Sequence, residues 1–234
     1  MMNGQTSYPD GQPSGDGNAE RRTPNAERTE VESVGTALAV AYPDARCELF
    51  ARDPWELLVA TILSVRTHDV QVNKVMAVLC EHLTGVAAYA ALDHKELERL
   101  IRKVPLFTQK ARAIVESARA VMRLHRGRVP DNSAALHALP GVGRKVAAVV
   151  LGNAFGIPAI AADVHVTRIV FRLGWISREH PLDAEKYLAT HFPPQHWVQL
   201  CHQCIRLGRD CCRRTQPRCG RCPVAACCQR QGLA

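Results

Sequence analysis

Long apolar runs are missing from this chain. Residues 1–30 contain no Leu, Ile, Val, Phe or Trp, so they lack the apolar core of a secretory signal. The longest uncharged stretch, residues 146–162, is interrupted by Gly152, Gly156 and Pro158 and is shorter than the roughly 20 apolar residues of a membrane helix. These absences predict a soluble, cytoplasmic protein with no membrane partner.

The chain also lacks the patterns of β-structure and of repeat proteins. No stretch alternates apolar and polar residues with a period of two, and no segment repeats itself. From Val31 onward the apolar residues instead recur at helical spacing. The sequence therefore predicts an all-α fold of many short helices joined by short loops. Residues 1–25 are rich in Gly, Pro, Ser and Asn, which predicts a disordered tail.

Capping residues predict where several helices begin. Asp53 and Pro54 precede one apolar face, and Thr108 is predicted to cap a helix that ends near Gly127. Further helices are expected around 132–139, from about Gly143, and after Asp163, Asp183 and Gln195.

Charge points to an anionic partner. Lys and Arg number 30 against 22 Asp and Glu, which leaves a net charge of +8. An excess of this size favours nucleic acid or an acidic membrane surface. A solvated basic surface would produce the same count, so charge alone does not choose between them.

Eight of the ten cysteines lie within residues 201–228. Disulfides are not expected in a reducing cytosol. Cys212, Cys219, Cys222 and Cys228 follow the spacing C-x6-C-x2-C-x5-C, which suits four thiolates around zinc or an iron–sulfur cube. Chemistry alone leaves both open, together with unliganded thiols. The roles of the neighbouring cysteines also stay open: Cys201, Cys204, Cys211 and Cys227.

The segment LPGVGRK, residues 139–145, predicts a helix–hairpin–helix motif. Its turn, with Gly141, Gly143 and Arg144, would present backbone N–H groups and a cation to a phosphate. Such contacts are independent of base sequence. Taken alone, the motif predicts DNA-backbone binding and leaves enzyme and non-enzyme equally open.

The sequence resembles the endonuclease III family of base-excision DNA glycosylases. Four features in this order carry the resemblance: the hairpin, Lys145, Asp163 and the cysteine spacing. The resemblance runs from about Ala26 to Cys228. It implies two helical lobes with a DNA-binding cleft between them. One would be a six-helix barrel domain with the hairpin, residues 47–157, and the other an iron–sulfur domain, residues 26–46 plus 158–234.

The resemblance also implies the chemistry. One 4Fe–4S cluster would be held by Cys212, Cys219, Cys222 and Cys228, and Lys145 and Asp163 would be catalytic. The expected enzyme is a nucleoid-associated monomer that acts on double-stranded DNA containing damaged bases or abasic sites. It would remove oxidised pyrimidines and cleave the strand by β-elimination through a lysine Schiff base. The alternative is a DNA-damage-binding iron–sulfur paralogue with weak or altered activity, mainly AP lyase.

Several positions depart from the family pattern. Arg66 stands where Gln is usual, at a residue expected to fill the gap left by a flipped nucleotide. Pro105 replaces a usual Gly before Leu106, the opposing wedge residue. Val164 stands where Thr is usual after the catalytic Asp. His137 stands where a carboxylate is common, and the substrate pocket is expected to include Ser64, Asp69, His137 and His165.

Overall fold

The computed structural model describes residues 24–233. Of the predicted tail, residues 1–25, only the last two fall in that range, and the first helix begins with them. No strand occurs within the described range, and the predicted all-α fold is confirmed. The α-helices are α1 (Pro24–Ala41), α2 (Pro54–Ser64), α3 (Asp69–His82), α4 (Gly85–Ala91), α5 (His94–Ile101), α6 (Phe107–His125), α7 (Ser133–His137), α8 (Arg144–Phe155), α9 (Val164–Arg172), α10 (Pro181–His191) and α11 (Trp197–Asp210), with 3-10 turns at Pro194–His196 and Cys219–Arg221.

Two hydrophobic cores divide the helices into two lobes. The inserted lobe contains α2 to α8, and its core runs from Trp55 to Leu151. The terminal lobe joins α1 to α9, α10, α11 and the C-terminal segment, and its core combines residues 31–38 with residues from Ile160 to Val224. The chain therefore crosses from the terminal lobe into the inserted lobe and back again.

Among the described residues, side chains cap the starts of four α-helices: Asp53, Asp93, Asn132 and Asp163 cap α2, α5, α7 and α9. Asp53 accepts a hydrogen bond from Glu56 N at 2.8 Å at the start of α2, and Asn132 accepts one from Ala135 N at 2.9 Å at the start of α7. Asp163 accepts from two backbone N–H groups at the start of α9. A short polar side chain satisfies N–H groups that the first turn leaves unpaired, so these starts are predictable from sequence.

The predicted Thr108 cap is wrong. The residue before α6 is Leu106, which adopts the left-handed conformation with φ of 59°, and Thr108 lies inside the first turn. Leu106 O accepts from Lys110 N at 3.0 Å, so the helix starts two residues earlier without a side-chain cap. The predicted end near Gly127 is confirmed, because Arg126 caps the helix after His125 and Gly127, with φ of 76°, donates to Val121 O.

The start of α10 is also shifted from the sequence prediction, because Asp183 lies in the first turn of this helix rather than before it. Helix α11 begins at Trp197, after Gln195 as expected, and follows the 3-10 turn at Pro194–His196. Within residues 24–233, no helix combines the length and apolar character needed to cross a membrane.

Candidate active site

Residues from both lobes line one cavity of about 70 Å³. Its walls come from α2, α3 and α8 of the inserted lobe and from Asp163 and α11 of the terminal lobe. Lys145 and Asp163, which are separated by 18 positions in the sequence, both line it. The structure thus brings the two predicted catalytic residues to one space in the cleft.

The hairpin turn explains how Lys145 reaches the cavity. Gly141 has φ of 76°, and a Cβ there would lie 2.6 Å from Ala113 Cβ, so both the backbone conformation and the packing require glycine. Gly143 then serves as the N-cap of α8. Lys145, in the first turn of α8, is half-buried and its Nζ donates to Ser64 Oγ at 3.5 Å.

Asp163 both caps α9 and lines the cavity. Its Oδ1 accepts from His165 N at 2.8 Å and from Val166 N at 2.9 Å, which anchors the carboxylate at the start of α9. Both of the hydrogen bonds found in the described residues end on Oδ1. The second oxygen, Oδ2, therefore retains its lone pairs for a group that enters the cavity.

A network of charges closes one side of the cavity. Glu48 accepts from Arg206 at 2.7 Å and from Arg209 at 2.6 Å, and Arg209 also donates to Asp69. Burial acts to raise the pKa of Glu48, but the hydrogen bonds and positive charges of the two arginines lower it overall. Asp69 belongs to α3 and the arginines to α11, so the network joins the two lobes beside Lys145.

The predicted DNA-contacting residues lie at exposed turns. Arg66 has φ of 56° and Leu106 has φ of 59°, and the side chain of Leu106 is 42% exposed. Arg144 follows the hairpin turn, where it donates to Glu185 at 2.8 Å. To contact a phosphate, Arg144 must exchange this exposed ion pair, which contributes little to stability, for the DNA backbone.

The four predicted pocket residues separate into two pairs. Ser64 and Asp69 line the cavity with Lys145. His165 and His137 are not among its lining residues. The His165 ring accepts from Arg168 Nη2 at 3.0 Å and packs so tightly on α11 that a Cβ on Gly208 would lie 2.4 Å from it. His137 lies on exposed α7, where its ring is 3.2 Å from Ser133 Oγ.

Sequence reasoning missed several residues of the cavity wall, namely Cys47, Glu48, Asn153, His202, Arg206 and Arg209. His202 Nε2 lies 2.8 Å from Asn153 Oδ1, and burial lowers the pKa of His202. These residues carry no spacing that marks a site. The sequence offers one signal for this part of the cavity wall: two arginines three positions apart at the end of α11, Arg206 and Arg209.

The four predicted cysteine ligands surround a second, smaller cavity in the terminal lobe. Cys212, Cys219, Cys222 and Cys228 all line it, together with Cys211, Arg172, Arg230 and apolar residues. In the part of the chain described, no three or more His, Cys, Asp or Glu side chains are close enough to hold one metal ion. A cuboidal iron–sulfur cluster takes one thiolate on each iron, so four thiols spread around a cavity fit that group chemically.

Helix α9 holds this cysteine segment. Arg172 is 6% exposed, and its guanidinium donates to Arg213 O at 2.6 Å and to Cys212 Sγ at 3.3 Å. Arg168 donates to Cys212 O at 3.0 Å. Two buried cations beside four thiols suit a site that becomes negatively charged, because opposite charges stabilise each other most where water is excluded.

Comparison with known proteins shows which family the chain belongs to. Residues 59–194 match the family model described as HhH-GPD superfamily base excision DNA repair protein. Endonuclease III of Bacillus subtilis (strain 168) is 38% identical over 191 residues, which cover 80% of this chain and 86% of that protein. Endonuclease III of Escherichia coli (strain K12) is 37% identical over 194 residues, which cover 83% and 92%.

A solved structure is similar over the same range. It is a trapped endonuclease III–DNA covalent intermediate, in an estranged-adenine complex, with a TM-score of 0.84 and 38% identity. The match covers 87% of this chain and 96% of the solved chain. The family model spans more than half of the sequence, and both of these relatives are more than 30% identical over at least 80% of the chain. The chain therefore belongs to the HhH-GPD superfamily of base-excision DNA repair proteins and, within it, to the endonuclease III family.

Proposed function

We propose that this base-excision-repair enzyme is a bifunctional DNA glycosylase and AP lyase that removes oxidised pyrimidines from double-stranded DNA with Lys145 as its nucleophile. The observation that carries the proposal is the shared cavity of Lys145 and Asp163. A nucleophilic amine and a carboxylate in one cleft are what attack at a sugar carbon requires. This pairing favours an enzyme over the alternative of a damage-binding paralogue with weak activity.

The chemistry follows from these two groups. The damaged nucleotide leaves the base stack and enters the cleft. The amine of Lys145 then attacks C1′, the bond between C1′ and the base breaks, and the departing base takes up a proton. Asp163 accepts the proton that the amine loses, or stabilises the positive charge on the sugar.

Strand cleavage completes the reaction. Opening of the sugar ring leaves a Schiff base between C1′ and Lys145 Nζ. Loss of a proton from C2′ then lets the bond from C3′ to its phosphate break, with the phosphate as the leaving group. Before substrate arrives, the amine lies 3.5 Å from Ser64 Oγ, which also lines the cavity.

DNA binding is assigned to both edges of the cleft. The hairpin, with Gly141, Gly143 and Arg144, contacts backbone phosphate, and Arg66 and Leu106 enter the duplex beside the displaced nucleotide. The exposure of both residues on turns next to the cleft supports this assignment. The neighbouring solved structures are endonuclease III–DNA complexes, which supports DNA as the partner. Monomeric, nucleoid-associated action stays a prediction.

The terminal lobe is assigned one 4Fe–4S cluster on Cys212, Cys219, Cys222 and Cys228. Their common cavity and the adjacent guanidinium of Arg172 support this ligand set. When bound, the cluster would link the C-terminal segment to itself through iron–thiolate bonds.

The two hydrophobic cores support a division into a barrel domain at 47–157 and a cluster domain at 26–46 plus 158–234.

Borohydride trapping tests the proposed nucleophile. Reduction of the Schiff base should leave a covalent complex between the full-length protein and a duplex with an abasic site. Lys145→Gln should abolish the complex while duplex affinity changes little, because the hairpin N–H groups and Arg144 remain.

Lys95→Gln is the matched control, since Lys95 is an exposed lysine of α5 outside the cavity. It should trap like the wild type. A complex that persists in Lys145→Gln would show that another amine is the nucleophile, and the proposal would fail.

A further inference from the structure

A lysine is buried outside the cavity, in a place that the catalytic proposal does not use. Lys110, in the first turn of α6, is 5% exposed. Its ammonium donates to Leu63 O at 2.8 Å, to Val65 O at 2.7 Å and to Thr67 Oγ1 at 3.0 Å. Three acceptors match the three protons of an ammonium group. Burial lowers the pKa of Lys110 to about 8, so the group is mostly charged at neutral pH.

The acceptors all belong to the turn that carries Arg66. Leu63 and Val65 lie at the C-terminal end of α2, where unpaired carbonyls and the helix dipole favour a cation. Arg66 lies between two of the bonded residues, with φ of 56° and an exposed side chain. Lys110 therefore holds the backbone just before Arg66 and the side chain just after it.

The backbone of Lys110 contacts the Leu106 turn. Its backbone N donates to Leu106 O at 3.0 Å, and Leu106 is the left-handed residue that precedes α6. A residue other than glycine keeps a positive φ only where surrounding contacts determine it. One side chain and its own backbone thus connect both of these strained positions.

We propose that Lys110 is a positioning residue that fixes the Arg66 turn against the Leu106 turn, so that both side chains enter the duplex at one site. The proposal rests on the function proposed above, in which Arg66 and Leu106 are the inserted residues. Preorganised groups bind without ordering costs at the moment of contact. Without the ammonium, three acceptors lose their donor and the Arg66 turn is free to relax.

Lys110→Met tests this, because methionine keeps the apolar stem and removes all three donors. The probe is a duplex with a non-cleavable abasic analogue opposite 2-aminopurine, whose fluorescence changes when its stacking is disturbed. Saturating wild-type protein should change the signal. Saturating Lys110→Met should give a much smaller change, while Lys95→Met, a matched exposed lysine, should behave like the wild type.

Trapping provides a second readout. Lys110→Met should slow borohydride trapping on a double-stranded abasic site by about tenfold or more, the scale of effect that a displaced group has in a preorganised site. Trapping on a single-stranded abasic site should be unchanged, because no partner base has to be separated there. Equal losses on both substrates would indicate general damage to the fold and would overturn the positioning role.

The outcomes separate this proposal from the catalytic one. If the wild type traps no DNA, the nucleophile assignment fails, and the fluorescence arm still decides the role of Lys110. A wild-type protein without a fluorescence change, or a Lys110→Met protein with a full one, overturns the proposal. Should Lys110→Met fail to fold, Thr67→Val removes one acceptor from the same contact and should reduce the fluorescence change in the same direction.

Discussion

At the scale of single residues, the backbone conformations of Arg66 and Leu106 bear on function. Both are exposed, and both have the positive φ that side chains other than glycine rarely adopt, at a cost of about 1–3 kcal/mol each. Positive φ alone is not specific, because Arg126, at the C-terminal cap of α6, shares it for an ordinary structural reason. What distinguishes Arg66 and Leu106 is that Lys110 bonds to both turns.

Arg66 is expected to read the base opposite the lesion. An arginine offers only donors and a permanent charge, and guanine presents two acceptors, O6 and N7. We therefore expect lesions opposite guanine to be processed faster than lesions opposite adenine, as measured by single-turnover strand cleavage. Arg66→Gln should bring the ratio of the two rates toward one.

A phosphate contact by Arg66 would give a different result. Arg66→Gln would then weaken binding to both duplexes equally and make the salt dependence shallower by about one unit. A wild-type protein that cleaves both duplexes at the same rate would refute the readout role.

At the scale of the elements, the start of α2 shows how one helix is anchored. Asp53 caps the helix, and Glu56, 5% exposed, accepts from Arg52 N at 2.7 Å and from Arg52 Nε at 2.9 Å. The hydrogen bond from the Arg52 side chain, with a further contribution from that of its backbone, lowers the pKa of Glu56, although burial acts to raise it. Since α2 ends at the Arg66 turn, its start and end fix where that turn lies.

The Glu56 contact should make stability depend on pH. A carboxylate with a lowered pKa in the folded state stabilises the protein above its unfolded pKa, and that contribution is lost as pH falls through the folded pKa. Glu56→Gln should lower the free energy of unfolding at pH 7 by about 1 kcal/mol, given the exposure of Arg52. The difference should shrink as pH falls below about 4.

Urea unfolding at a series of pH values measures this difference. Glu81→Gln, at an exposed position of α3, is the matched control and should follow the wild type throughout. A Glu56→Gln deficit that is constant from neutral to acidic pH would assign the loss to packing rather than to charge.

At the scale of the whole molecule, function depends on two lobes that the chain connects twice. The charged network of Glu48, Asp69, Arg206 and Arg209 joins them at the cavity. Helix α9 begins at the cavity with Asp163 and ends on the cysteine segment with Arg172. The order of the cysteine segment and the position of the carboxylate are therefore linked through one helix.

Substitution of single cysteines should distinguish cluster ligands from core residues. Protein purified from cells should contain about four iron and four sulfide per chain. Cys219→Ser should lose the iron and expose the C-terminal segment to proteolysis. Cys204→Ser should keep the iron, because Cys204 is buried in α11 and does not line the cysteine cavity. Stoichiometric zinc, or iron loss on changing Cys204, would contradict the ligand set.

Local features of this protein were determined by its sequence. Asp53, Asn132 and Asp163 cap helices because the bond joins residues two or three positions apart, and Gly141 permits the hairpin turn by its own backbone freedom. The cysteine cluster and the hairpin are likewise formed by residues close together in the sequence. The fold class, these three helix starts and the motif that indicates the family were therefore predictable without coordinates.

Tertiary structure alone decided which distant residues meet. The cap of α6 could not be predicted because no side chain caps this helix, and the residue before it, Leu106, adopts the left-handed conformation. The cavity joins residues from helices far apart in the sequence, and the same packing turns the His165 ring toward α11. Lys110 lies four residues before buried Ile114 on the apolar face of α6, a pattern that marks it as buried without naming its partners. Those partners lie more than 40 residues away, and only the folded chain brings them within hydrogen-bonding distance.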